Sequence, residues 1–183
     1  APVATSNADA FVAHFSGSNI GSIGSRELEL VVGFDRPGLL TLQQLSNPLT
    51  GRVWDITPAT DFSVTVGGEP LTLSMRNGMT LTNVATEATA DGVRLVFTFE
   101  HAALRLQIVR SYACYPGSPT IETWTDIRAL DGARSAQVTN AVGWQVTMPA
   151  GTVKWLGGLR RSAVPGELES FELAGRELEP NEP

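Results

Sequence analysis

The chain has 183 residues, of which 42% are apolar, 7% aromatic and 17% charged, and this is enough for one sizeable hydrophobic core. Its 13 basic and 19 acidic residues give a net charge of −6, which makes a nucleic-acid backbone a poor candidate ligand. No apolar run approaches the roughly 20 residues that a membrane-spanning helix needs. We therefore expect one globular domain without nucleic-acid partners or a membrane span.

The N-terminal half is predicted to form short strands. The segments 11–15, 26–34 and 39–45 have the composition of strands, and an Asn-Pro-Leu-Thr-Gly turn at 47–51 precedes Trp54. Two further strands are predicted at 62–66 and 71–75. Each of these two is followed by a pair of residues, Gly67-Gly68 or Asn77-Gly78, that readily adopts the positive φ angles of hairpin turns.

Three longer strands follow, at 93–100, from Leu104 onward, and at 120–130. Their apolar residues recur at every second position, which is the period of a strand with one buried face. In the last strand Ile121, Thr123, Thr125 and Ile127 share one face, and Glu122, Trp124, Asp126 and Arg128 share the other. Because the connections are short and carry no helix, the sequence predicts an all-β fold, an antiparallel β-sandwich.

The predicted sandwich occupies residues 1–174, followed by a mobile acidic tail at 175–183. The tail is predicted because the stretch 167–183 holds six of the twelve glutamates, a composition that favours solvation over packing. The chain begins Ala1-Pro2-Val3 without an initiator Met, as expected after removal of a signal peptide or excision from a longer chain. The compartment is left open, and a secreted or periplasmic location is favoured.

Cofactors and metals are not predicted. Cys114 is the only cysteine, so the chain can form no internal disulfide or cysteine-rich zinc site. The two histidines, His14 and His101, lack carboxylates at the spacing of a metal-binding motif.

Catalytic residues are not predicted either. Glu122 and Asp126 share a strand face, but four residues of strand separate them by roughly 13 Å, which is too far for the carboxylate pair of a glycosidase. A weaker alternative pairs His101 with Glu122 as the acid and base of a sugar epimerase. A solvated sheet face and a junction between two strands explain the same residues without catalysis.

The tryptophans provide the candidate contact site. Trp124 lies between Glu122 and Asp126 on the polar face of its strand, and Trp54 follows the turn at 47–51. Flat aromatic rings stack on sugars and anchor domain contacts, so Trp54, Trp124, Glu122 and Asp126 are the predicted carbohydrate or domain contact. The alternative is that another sheet or domain covers Trp124 as ordinary packing.

The segment 104–127 adds a family resemblance. It contains a strand, the pattern Tyr-x-x-Tyr-Pro-x-x-Pro at 112–119 and a second strand with Trp124. This arrangement resembles the N-terminal β-supersandwich, a mutarotase-like sandwich, of family 36 glycoside hydrolases, the α-galactosidase or melibiase-like group. The stretch 27–54, with Leu45-x-Asn47-Pro48-x-Thr50-Gly51, is similar to the start of that domain. The resemblance covers about the first 130 to 150 residues.

In that family both catalytic aspartates belong to a (β/α)₈ barrel that follows the sandwich, and this sequence shows no βα alternation. The resemblance therefore implies a non-catalytic domain that supports a missing C-terminal catalytic domain, with no catalytic position carried over. Two alternatives stay open, a free-standing carbohydrate-binding module and a mutarotase-like epimerase. A homo-oligomer is a further possibility, because an isolated domain can cover its contact surface by self-association.

Overall fold

The computed structural model describes residues 3–36, 38–54, 56, 60–133, 135–143, 145, 152–156 and 168–172. They belong to two compact units, Ala1–Val146 and Thr147–Pro183. Over these ranges the backbone forms strands, turns and loops without a helix. The described residues therefore contain no long apolar helix that could cross a membrane. The all-β prediction is confirmed.

Six strands form the first sheet, and each is antiparallel to its neighbour in the chain. They are β1 (Val3–Asn7), β2 (Ala10–Phe15), β3 (Ile20–Gly24), β4 (Glu29–Phe34), β5 (Leu40–Asn47) and β6 (Arg52–Trp54). Sheet order equals chain order, which is the simplest result of joining strands by short turns.

Four longer strands form the second sheet, again as an antiparallel meander, in the order β12-β11-β10-β9. They are β9 (Met79–Ala88), β10 (Val93–His101), β11 (Leu106–Cys114) and β12 (Ile121–Ala129). A third, three-stranded sheet joins β7 (Ser63–Val66), β8 (Glu69–Thr72) and β13 (Val138–Val142). The second unit contains an antiparallel hairpin of β14 (Thr152–Leu156) and β15 (Leu168–Glu172).

The first two sheets pack as the layers of a sandwich, with β2 and β3 against β10. Val12, Ile23, Leu30 and Val32 of the first sheet are fully buried, as are Leu95, Phe97, Phe99 and Tyr112 of the second. Gly21 of the first sheet faces Leu95 of the second, and an added Cβ there would overlap the end of the Leu95 side chain. The two antiparallel sheets and the core that they share confirm the predicted antiparallel sandwich.

The predicted strands agree with the structure most closely where alternation is strict. The strands at 93–100 and 120–130 are β10 and β12, and Gly67, Gly68, Asn77 and Gly78 have the expected positive φ angles. The strand predicted from Leu104 begins two residues later, because residues 102–105 form the turn. The strand expected at 71–75 ends at Thr72. The Leu40 amide donates to the Leu73 carbonyl, where the chain contacts the first sheet.

The predicted domain boundary falls beyond the described part of the chain. Strand β15 ends at Glu172, and the expected acidic tail at 175–183 lies outside the described residues. The single domain over 1–174 and its tail therefore stay predictions.

Candidate functional site

Three of the four predicted contact residues lie together on β12. Glu122, Trp124 and Asp126 share the outer face of the second sheet, facing away from the first sheet. Their partners on β11 are Ala113, Ser111 and Val109, and the first two of these are buried. Because the side chains of Ala113 and Ser111 are small, residues of β10 and β12 can contact each other across β11.

Arg94 of β10 makes such a contact across β11 with Trp124. Its guanidinium carbon lies 5.2 Å from the centroid of the Trp124 ring, a cation–π distance, and its Nη1 lies 3.8 Å from Glu87 Oε2. We call Glu87, Arg94, Tyr115, Glu122 and Trp124 the outer patch. The contact engages the Trp124 ring within the patch, and the side chain remains half-buried.

Tyr115 adds a hydrogen bond to the patch. Its hydroxyl donates to Glu122 Oε2 at 2.8 Å, and this bond raises the pKa of Tyr115 above its usual value, as do burial and the Glu122 charge. The Pro116-Gly117 turn returns the chain toward β12, so the two residues meet across a short loop. The Glu122 carboxylate is therefore already engaged as an acceptor.

Trp54 does not join this group. It lies on β6, at the edge of the first sheet, and the Arg52 guanidinium carbon is 5.4 Å from its ring centroid. Two other tryptophans offer nothing further: Trp144 lies outside the described residues, and for Trp155 only the backbone is described.

The structure gives both histidines buried positions. His101 ends β10, and its Nδ1 accepts the Leu104 amide at 3.1 Å, which stabilises the turn into β11. On β11 the partner of Glu122 is Ala113, and the partner of His101 lies seven residues away. His101 and Glu122 are therefore separated by roughly 23 Å along the strands, and they lie on opposite faces of the sheet. The structure therefore does not bring His101 and Glu122 together.

His14 lines a different feature, a cavity of about 390 Å³ that Met75 and Met79 also line. Burial lowers the pKa of His14, so its imidazole is neutral at pH 7. In the described part of the chain its Nε2 has no hydrogen-bond partner.

A charged network that sequence reasoning missed lies on the inner face of the second sheet. Arg110 donates through Nε to Asp61 Oδ2 at 2.7 Å and through Nη2 to Asp61 Oδ1 at 3.2 Å. The Tyr112 hydroxyl donates to the same Oδ2 at 2.6 Å, and Arg110 Nη1 donates to Thr125 Oγ1 at 3.1 Å. We call Asp61, Arg110, Tyr112 and Thr125 the inner network.

Burial and the neighbouring Asp61 together set the pKa values of Arg110 and Tyr112. Desolvation on its own lowers the pKa of Arg110, but the hydrogen bond and charge of Asp61 outweigh it and raise that pKa. Burial, followed by the negative charge of Asp61, raises the pKa of Tyr112 well above its usual value. At neutral pH Arg110 is therefore a cation and Tyr112 a neutral phenol.

An open groove runs between the inner network and β13. Phe62, Arg110, Thr125, Ile127 and Val138 are among its lining residues. The sequence carried one signal for this region: Arg110 has the same phase as Ile108 in an alternating strand, so a charge falls on the apolar face. Its partner Asp61 is 49 residues away, and no local pattern connects them.

Comparison with known proteins adds no relative to this picture. No protein-family model matches the chain, and neither a curated protein nor a solved structure does.

Proposed function

We propose that this chain is a non-catalytic β-sandwich domain of a larger carbohydrate-active enzyme, an α-galactosidase-like glycoside hydrolase, and that it supports the catalytic barrel. The outer patch carries the proposal, because it gathers a tryptophan, an arginine and two carboxylates on one exposed sheet face beside a strand edge. Tryptophan, tyrosine and arginine, three of the five members of the patch, are the residue types enriched where proteins contact each other. The resemblance of the segment 104–127 to family 36 sandwiches supplies the identity of the missing domain.

The distance between Glu122 and Asp126 favours a non-catalytic domain over a catalytic one. Glu122 and Asp126 are four residues apart on one unbroken strand, which corresponds to roughly 13 Å, whereas glycosidase pairs are separated by at most about 9.5 Å. Glu122 also accepts the Tyr115 hydroxyl through Oε2, which holds this carboxylate within the outer patch.

The coding sequence downstream of residue 183 provides the decisive test. The proposal requires a (β/α)₈ barrel in the same reading frame, and a stop codon or an unrelated domain there would refute it. When that barrel is expressed separately, the 183-residue chain should bind it, and Trp124→Ala should weaken binding more than the matched Trp54→Ala. Hydrolysis of an aryl α-galactoside by the 183-residue chain, abolished in Glu122→Gln, would also overturn the proposal.

A second candidate is a free-standing carbohydrate-binding module, which the half-exposed Trp124 between two carboxylates favours. A module of this kind stacks a sugar on the Trp124 ring, so its fluorescence should shift when galactosides are added. Binding should disappear in Trp124→Ala and persist in Trp54→Ala. Millimolar or tighter binding by the wild-type chain would favour this candidate over the supporting domain.

The mutarotase-like alternative has less support. It needs an acid and a base on either side of one sugar ring, and His101 and Glu122 lie on opposite faces of the second sheet. The Nδ1 atom of His101 is also engaged with the Leu104 amide.

A further inference from the structure

Strand β12 differs from the other edge strands of the unit Ala1–Val146. The edges of the first sheet, β1 and β6, have five and three residues, and β9 contains a bulge opposite Thr98 and Phe99. Strand β8 carries Pro70, and β13 pairs irregularly with β7. These are the usual devices that prevent edge-to-edge pairing. Strand β12 has nine residues in unbroken register, no proline, and no neighbour beyond β11 among the described strands.

The free backbone groups of β12 can be assigned by parity. The Leu130 amide donates to the Arg105 carbonyl at 2.8 Å, and the same register continues through all of β12. In an antiparallel ladder hydrogen-bonded pairs alternate with non-hydrogen-bonded ones, so Glu122, Trp124, Asp126 and Arg128 bond to β11. The amides and carbonyls of Ile121, Thr123, Thr125, Ile127 and Ala129 therefore point to the open edge.

We propose that two copies of this chain pair through β12, antiparallel about a two-fold axis at Thr125, to form one continuous eight-stranded sheet. In this register Glu122 of each copy lies opposite Arg128 of the other, which gives two opposite-charge pairs. The outward-pointing backbone groups match, so the interface gains up to about ten hydrogen bonds. A two-fold axis is the commonest symmetry of homo-oligomers.

Charge selects this register over its neighbours. A shift of the axis to Trp124 would place Glu122 opposite Asp126, and a shift to Asp126 would place the two Asp126 carboxylates opposite each other. Like charges directly opposite destabilise a sheet, whereas opposite charges stabilise it. Only the Thr125 axis also pairs all nine residues of β12. Both Glu122 and Arg128 are exposed and so available for the cross-pair.

The groove beside β12 suits an added strand. The groove is lined by Thr125 and Ile127 on the inner face of the second sheet and by Val138, which is 50% exposed. The inward-facing side chains of the added strand, Thr123 and Ile127 of the second copy, would project toward the same apolar side. On the outer face the two Trp124 rings would become diagonal neighbours, within reach of aromatic contact.

Cross-linking tests the register directly. Thr125 of one copy faces Thr125 of the other at a Cα separation of about 5.5 Å, which a disulfide can span. We expect Thr125→Cys to form a covalent dimer under mild oxidation. The matched variant Thr123→Cys lies on the same strand and face, but its two copies are offset by four residues, so it should stay monomeric on a denaturing gel. The wild-type chain controls for the buried Cys114.

Charge reversal tests the same interface without cysteines. Light scattering at tens of micromolar should give twice the 19.5 kDa mass of the chain. Arg128→Glu should raise the dimer dissociation constant by about tenfold or more, and the double variant Glu122→Arg/Arg128→Glu should restore it. A monomeric wild-type chain, a dimer indifferent to Arg128→Glu, or cross-linking at 123 in place of 125 would each overturn the proposal. The sugar and barrel experiments above do not depend on this result.

Discussion

The two faces of the second sheet carry the same chemistry in different surroundings. On the inner face Arg110 binds the Asp61 carboxylate and lies 5.2 Å from the Tyr112 ring, and the charged side chains are 2% and 1% exposed. On the outer face Arg94 approaches the Glu87 carboxylate and lies 5.2 Å from the Trp124 ring, with side chains 39% and 48% exposed. The difference lies in solvent access, which decides what each arginine contributes.

Because the inner network is buried, the fold is sensitive to the loss of either of its charged partners. A buried ion pair contributes little net stability when complete, yet it becomes costly when one partner is removed, because the remaining charge stays uncompensated. The exposed outer pair is screened by water and salt and can rearrange. The inner arginine is thus suited to fixing the sheet, and the outer one to exchanging partners at a contact surface.

Loss of the inner arginine should have the largest effect. Arg110→Met leaves the Asp61 carboxylate buried without its cation, and we expect the free energy of unfolding to fall by about 3–5 kcal/mol. Urea denaturation followed by tryptophan fluorescence measures this change. The double variant Asp61→Ala/Arg110→Met should be more stable than Arg110→Met alone. A loss below 1 kcal/mol in Arg110→Met would show that the ion pair is not buried in solution.

The Tyr112 hydroxyl should rank second. Tyr112→Phe removes one hydrogen bond to a charged acceptor, and we expect a loss of about 1.5–3 kcal/mol at pH 7. The pKa of Tyr112 is raised in the folded state, so its contribution is complete below about pH 10 and declines as the pH rises further. The difference in unfolding free energy between wild type and Tyr112→Phe should therefore be constant from pH 7 to 9.5 and shrink above pH 10. Cys114 and Tyr115 are present in both proteins, so their titration cancels.

The accuracy of sequence reasoning follows the regularity of each strand. In β12 the alternation is unbroken, and the predicted positions of Glu122, Trp124 and Asp126 on one face were correct. Strand β9 was missed because its bulge leaves Thr82 without a partner, so the inward phase changes between Leu81 and Val84. A sequence that shifts phase in mid-strand does not show period two.

Long-range contacts could not be predicted in the same way. Arg110 was visible as a charge with an inward phase, but its partner Asp61 lies in a loop next to β7. The cation–π contact of Trp124 depends on Arg94, two strands away, and on the small residues of β11 between them. Both contacts result from the strand order of the sheet, which the local pattern of one strand does not encode.

The outer patch should respond weakly to the equivalent change. Arg94→Ala removes one cation–π contact and one exposed ion pair, so we expect a loss of about 1 kcal/mol or less by urea denaturation. Adding 0.5 M NaCl should reduce the difference between wild type and Arg94→Ala, while the loss in Arg110→Met should hardly change. An Arg94→Ala loss as large as that of Arg110→Met would show that the two faces are equally shielded from solvent.

Replacement of Glu122 should leave stability almost unchanged and still report on the patch. Glu122→Ala removes both the acceptor of the Tyr115 hydroxyl and the negative charge, so the pKa of Tyr115 should fall toward the usual value of about 10. Tyr112 and Tyr115 are the only tyrosines, and Tyr112 resists ionisation while the protein is folded, so phenolate absorbance at alkaline pH reports Tyr115. An unshifted absorbance titration would mean that Tyr115 and Glu122 are apart in solution, leaving Glu122 free for a partner domain, a sugar or Arg128 of a second copy. A shift without loss of stability would show that the same carboxylate can exchange the Tyr115 hydroxyl for such a partner at little cost to the fold.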